Sequence, residues 1–135
     1  PPPFQRPTRQ PRLCKLSRGL GDVYKRQDLD DCLIDVKGSP VHLSKTVMNL
    51  VSNAAEAADP ANGLIALSTR NQYVDRPIRG YDEVKQGDYA VLTVTDDGSG
   101  IAPEDLKRIF EPFYSKKVMG RSGTGLGMAV VWGTV

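Results

Sequence analysis

Apolar and polar positions along the 135-residue chain fall into a few clear periods. From Pro40 to Ala58, Leu43, Val47, Leu50, Val51 and Ala54 recur at helical spacing and predict an amphipathic helix. Ser39 stands at its cap, Pro40 suits its first turn, and Asp59-Pro60 ends it. Leu64–Val74 alternates, with Leu64, Ala66 and Ser68 against Ile65, Leu67 and Thr69, which predicts a strand. Tyr89–Thr95 predicts another, with Ala90, Leu92 and Val94 on one side. Asp30–Val36 sets Cys32, Ile34 and Val36 in one phase, and Lys37-Gly-Ser-Pro closes it, which predicts a strand and a turn. Asp75–Asp88 is polar, with Pro77, Gly80 and Gly87, and reads as a loop. Pro103–Ile109 predicts a short helix, with Glu104 and Asp105 near its positive end. Phe110–Gly123 is a glycine-bearing connector, and Gly125–Val135 reads as a helix. This order predicts an α+β fold with helices layered on one sheet.

The length suits one domain. The longest uncharged apolar stretch, Gly125–Val135, is eleven residues, well short of the roughly 20 a membrane span needs. No charged segment followed by an apolar one opens the chain, so no secretory signal is expected. Cys14 and Cys32 make no disulfide framework, and a reducing, cytoplasmic setting is the expectation.

Charge divides the chain near residue 27. Residues 1–27 carry a net +6, and residues 28–135 a net −4. The basic excess is therefore local, and nothing in the rest suggests nucleic acid as a partner. The first segment also holds Pro1, Pro2, Pro3, Pro7 and Pro11, which disfavour helix and supply no ladder donors. It is expected to be a disordered or foreign tail. Its string Leu20-Gly-Asp-Val-Tyr-Lys-Arg-Gln27 resembles translated adapter sequence. A basic tail for acidic partners is the other reading. At the far end the helical pattern runs to Val135 without a stop signal, so a piece of a longer protein is expected.

Four clusters carry candidate chemistry. Asn49, Asn53 and Glu56 share one stripe of the long helix, roughly opposite its apolar face. They are either an ordinary outer face or oxygen donors turned to a cleft, where they suit a hard cation such as Mg²⁺. His42 lies near the same stripe and is assigned no catalytic role. Asp96 continues the phase of Ala90, Leu92 and Val94 and so leaves its strand on the buried side, where a carboxylate needs a partner. Gly98 and Gly100 behind it allow a tight turn and close approach of a ligand, although an ordinary turn would look the same. Phe110-Glu-Pro-Phe113 can anchor a mobile segment, and Lys116, Lys117 and Arg121 are either a solvated loop or phosphate contacts. Gly123-Thr124-Gly125-Leu126-Gly127 opens an apolar helix and can aim N–H groups at an anion, or serve as a hinge. No Gly-Lys-Ser/Thr follows, so it is not a P-loop. Met128 stands where a dinucleotide fingerprint needs its third glycine.

Together, in this order, the clusters resemble the signature of the histidine-kinase ATP-binding domain. Asn49–Ala57 is similar to its N box, Asp96–Gly100 to its G1 box, Phe110–Phe113 to its F box and Gly123–Gly127 to its G2 box. The resemblance covers residues 28–135 and points to the GHKL superfamily. It implies the Bergerat fold, a two-layer α/β sandwich with helices on one face of a mixed sheet, here without its C-terminal strands. It also implies ATP and Mg²⁺ as cofactors. Asn53 matches the metal-ligating asparagine, with Asn49 one turn before it and Glu56 on the same stripe. Asp96 matches the acceptor of the adenine amino group, with Gly98, Gly100 and Ile101 beside the base and sugar. Residues 102–124 would form a lid, in which Phe110, Lys116 and Lys117 are nucleotide-binding candidates. Gly123, Thr124, Gly125, Leu126 and Gly127 would wrap the phosphates.

In gyrase-like and chaperone-like relatives a glutamate takes the place of Asn49 and activates water. An amide cannot, so the resemblance favours transfer of phosphate to a histidine over hydrolysis. The implied parent is a homodimeric two-component sensor kinase, cytoplasmic at this domain, anchored to a membrane if at all through segments outside this chain. Its partners would be its own dimerisation and phosphoacceptor domain, which nothing in residues 1–27 resembles, and a response regulator. The alternatives are an anti-sigma-type protein-serine kinase and a nucleotide-binding fragment without activity. The isolated polypeptide is expected to be poorly stable and unable to autophosphorylate.

Overall fold

The computed structural model describes residues 12–15, 24–78, 84–114 and 126–134. Its elements are β1 (Arg12–Lys15), β2 (Tyr24–Asp28), α1 (Pro40–Ala57), β3 (Leu64–Val74), β4 (Gly87–Asp96), α2 (Pro103–Leu106) and α3 (Gly127–Thr134). The four strands form one sheet in the order β1-β2-β3-β4. β2 and β3 are parallel and the other pairs antiparallel, so the sheet is mixed. A parallel pair needs a crossover, and α1 supplies it.

α1 forms where its period predicts, with Pro40 in its first turn. Ser39 is the N-cap, but its side chain makes no capping bond; its carbonyl accepts the Leu43 N–H at 3.0 Å instead. The apolar face of α1 lies on β3 and β4. Ala54, Ala55 and Ala58 pack with Ile65 and Leu67, flanked by Val47, Val51 and Val94. Small alanines let the helix sit close to the sheet. α3 packs on the flank of α1 and makes no element contact with the sheet among the described residues. Among those residues, no helix is long and apolar enough to cross a membrane.

Three local expectations change. Asp30–Val36 is loop, not strand. It runs along β3, but side chains take the place of a backbone ladder. The Asp30 N–H donates to Thr69 Oγ1 at 2.9 Å, the Ile34 N–H to Asn71 Oδ1 at 2.8 Å, and Asn71 Nδ2 to the Cys32 carbonyl at 2.8 Å. Ahead of it, where the sequence predicts a tail without regular structure, Arg12–Lys15 and Tyr24–Asp28 are paired strands. The edge of β3 offers Tyr24–Asp28 a ladder, and pairing of that kind overrides weak intrinsic preference. The helix at Pro103 stops at Leu106 and continues as turns to Phe110.

Candidate functional site

The site is organised along α1. Helical geometry places Asn49 and Ala57 about 12 Å apart along the axis. At the far end of that span, the turn after β4 sits on the last turn of α1. A Cβ at position 98 would lie 2.4 Å from the Ala57 carbonyl oxygen, so only glycine fits there. The Gly98 N–H donates to Asp96 Oδ1 at 2.9 Å, which points the carboxylate back over its own turn. Asp96 Oδ2 makes no hydrogen bond among the described residues. Gly100, at φ +75, occupies the left-handed region that glycine tolerates. The neighbouring Asp97 is structural, since its Oδ2 accepts the Leu64 N–H at 3.0 Å and closes the start of β3.

The strand phase predicts Asp96 on the buried side; it is exposed. Its register partner is Ile65, the fully buried core residue, so the phase itself holds. The strand ends at Asp96, however, beyond the cover of α1, and the carboxylate emerges at the rim. An exposed acceptor with one free oxygen can receive a hydrogen bond from a ligand's amino group without a desolvation penalty of its own.

Nearer the start of the span, Asn49 and Asn53 are half-buried and Glu56 is exposed. Their stripe is not the outer face opposite the core. It lies on the shoulder of α1 that meets α3. Asn49 Nδ2 donates to the Gly127 carbonyl at 3.2 Å, joining the helix to the end of the glycine cluster. The Asn53 carboxamide makes no hydrogen bond among the described residues. A half-buried amide oxygen with no protein partner among the described residues fits a hard cation such as Mg²⁺.

Phe110 packs against Trp132 of α3, with ring centroids 5.0 Å apart and planes tilted by 39°. Phe113 does not share that anchoring role, being 75% exposed with a φ of 65°. Two features here escape sequence reasoning. One is Trp132, whose apolar helix gives it no distinguishing mark. The other is the buried Asp105, whose Oδ1 accepts the Tyr114 hydroxyl at 2.5 Å while the Arg108 guanidinium lies 4.3 Å from the Tyr114 ring centroid. Their three-residue and six-residue spacings could have suggested a closed local turn, but not its partners. Ile101 and Leu126 are exposed. Lys116, Lys117, Arg121, Gly123, Thr124 and Gly125 lie outside the described residues.

The structure therefore brings Asn49, Asn53, Asp96, Gly98 and Gly127 to one helix from three separate stretches of chain. Known proteins are similar to this chain in sequence and fold. Residues 38–133 match the family described as histidine kinase-, DNA gyrase B-, and HSP90-like ATPase. The chain is 37% identical over 122 residues to the sensor kinase CckA of Brucella abortus, covering 89% of this chain and 13% of that protein. It is 38% identical over 103 residues to the sensory histidine kinase/phosphatase NtrB of Azospirillum brasilense, covering 76% of this chain and 25% of that protein. The solved mycobacterial sensor histidine kinase MprB superposes with a TM-score of 0.60 at 25% identity, over 82% of this chain and 61% of that one. The chain thus spans only a minor part of the curated relatives it matches. Residues 28–135 are four-fifths of the sequence, so a match over 89% of it takes in part of residues 1–27. Sequence and fold agree, and the chain belongs to the histidine kinase-, DNA gyrase B- and HSP90-like ATPase family.

Proposed function

We propose that this chain is the ATP- and Mg²⁺-binding catalytic part of a two-component sensor histidine kinase. The observation that carries the reading is the shared attachment of the Asp96–Gly98 turn and the Asn49–Gly127 contact to a single helix, α1. The purine amino group meets Asp96 Oδ2, and Gly98 and Gly100 leave room beside it. The phosphates extend along α1 toward Asn49, Asn53 and the Gly123–Gly127 loop, with Lys116 and Lys117 as further phosphate contacts. Asn53 holds the metal, with Glu56 near it on the helix. When bound, Mg²⁺ neutralises charge on the transferring phosphoryl group. The chain's own residues supply position: they fix the purine at one end of α1 and the polyphosphate near the other.

Asn49 is an amide and removes no proton from water, so transfer to a protein side chain is favoured over hydrolysis. The acceptor is a histidine on a separate dimerisation domain, the parent is a homodimer, and a response regulator takes the phosphoryl group onward. The domain works in the cytoplasm. Residues 28–135 carry every site residue, and residues 1–27 carry none.

A titration with a fluorescent ATP analogue, with and without Mg²⁺, tests the reading. Asp96→Asn is expected to weaken binding in both conditions, because an amide exchanges one acceptor for a donor pair. Asn53→Ala is expected to weaken it only with Mg²⁺ present. Unchanged affinity in both variants, each still folded, would place the site elsewhere.

A further inference from the structure

α3 rests on α1, with Val131 buried. It makes no element contact with the sheet among the described residues, and it meets α1 along one flank. Near its far end, Trp132 packs on Phe110. At its start, Asn49 Nδ2 donates to the Gly127 carbonyl at 3.2 Å. That carbonyl belongs to the first turn of the helix, and a carbonyl oxygen can accept a side-chain bond in addition to a helical one. The contact also fixes the orientation of the amide. Nδ2 has to face the carbonyl, since the opposite orientation would set two oxygens against each other. The same helix turn then leads to Asn53.

We infer that Asn49 is a positioning residue: its carboxamide clamps the N-terminus of α3, and with it the end of the glycine loop, to the turn of α1 that presents Asn53. The inference rests on the nucleotide-site reading above and deepens it. At position 49 a side chain can donate to Gly127 through an amide N–H, or take a proton from water through a carboxylate. Asparagine can do only the first. The clamp holds the phosphate end of the site in register with the metal ligand, while the purine end, set by the Gly98 contact with Ala57, does not depend on it.

The test uses the full chain with Asn49→Ala and with Asn49→Asp, which keeps the volume but replaces the donor by an oxygen. Backbone amide exchange without nucleotide reads the clamp directly. Amides of α3 are expected to exchange faster in both variants, while those of β3 and of the second half of α1 keep their rates. Competition titrations read its consequence. Mg·ATP affinity should fall about three- to tenfold, the effect of one lost hydrogen bond, and adenosine affinity should not change. Wild-type exchange rates in α3 would overturn the clamp. Equal weakening of ATP and adenosine, or of neither, would overturn the positioning role. If the wild-type chain binds no nucleotide, the site reading fails and the positioning role with it, and α3 exchange still decides whether the clamp exists.

Discussion

Three glycines that look alike in the sequence have different reasons to be glycine. At Gly98 the reason is steric: a Cβ would fall 2.4 Å from the Ala57 carbonyl and 2.8 Å from Asp96 Oδ1. Backbone cannot give way easily there, so Gly98→Ala is expected to destabilise the chain by about 1–3 kcal/mol, the range for overpacking. At Gly100 the reason is conformational, a φ of +75 with open space around the missing side chain. At Gly127 neither holds. A Cβ would sit 3.6 Å from Asn49 Cγ, an ordinary contact. Gly127→Ala should therefore leave stability unchanged or raise it by up to about 1 kcal/mol through helix propensity, yet weaken Mg·ATP if phosphates approach this backbone. Denaturant unfolding of both variants beside an ATP titration checks the contrast, and a Gly127→Ala chain as unstable as Gly98→Ala would contradict it. Residue type and spacing single out Asn49, Asn53 and Asp96 as candidates. The exposure of Asp96 was not, because strand phase gives a face and says nothing of where the covering helix stops.

At the scale of elements, long periods match the structure and short ones match it less. β3 occupies Leu64–Val74 as its alternation predicts, and α1 ends one residue before the predicted Ala58. Asp30–Val36 has strand-like alternation and no strand. The difference lies in Asn71, whose side chain both accepts from the Ile34 N–H and donates to the Cys32 carbonyl. Asn71→Ala is expected to release this loop, raising exchange at the Ile34 amide and protease cleavage within residues 30–36, while the β3–β4 ladder keeps its protection. If cleavage there is unchanged, backbone pairing rather than Asn71 holds the segment. A side chain 37 to 39 residues away in sequence is a partner that no local pattern announces. β1 and β2 escape prediction for a related reason, since β2 pairs with the edge of β3 and β1 with β2, and neither pairing is encoded in their own composition.

For the whole molecule the limiting quantity is core size. The buried apolar cluster consists of three alanines with Ile65 and Leu67, and Ile65 is the one large side chain fully withdrawn from water among the described residues. Met48, Val41, Leu29 and Val36 are all more than half exposed or nearly so. Ile65→Ala should cost about 2–5 kcal/mol, a large share of a typical domain's stability. The expected result is loss of the cooperative thermal transition in the apo chain; a variant that melts near wild type would show that the core extends beyond this cluster. The long helix, the two principal strands and the order of the chemical clusters follow from residue type and local period, and the family follows from the resemblance of those clusters to its signature. It took three-dimensional packing to set Asn49 against Gly127 at the start of α3 and Asp96 at a rim. Those facts depend on which surfaces helices and strands present to one another, and packing between segments distant in sequence leaves no periodic trace in either of them.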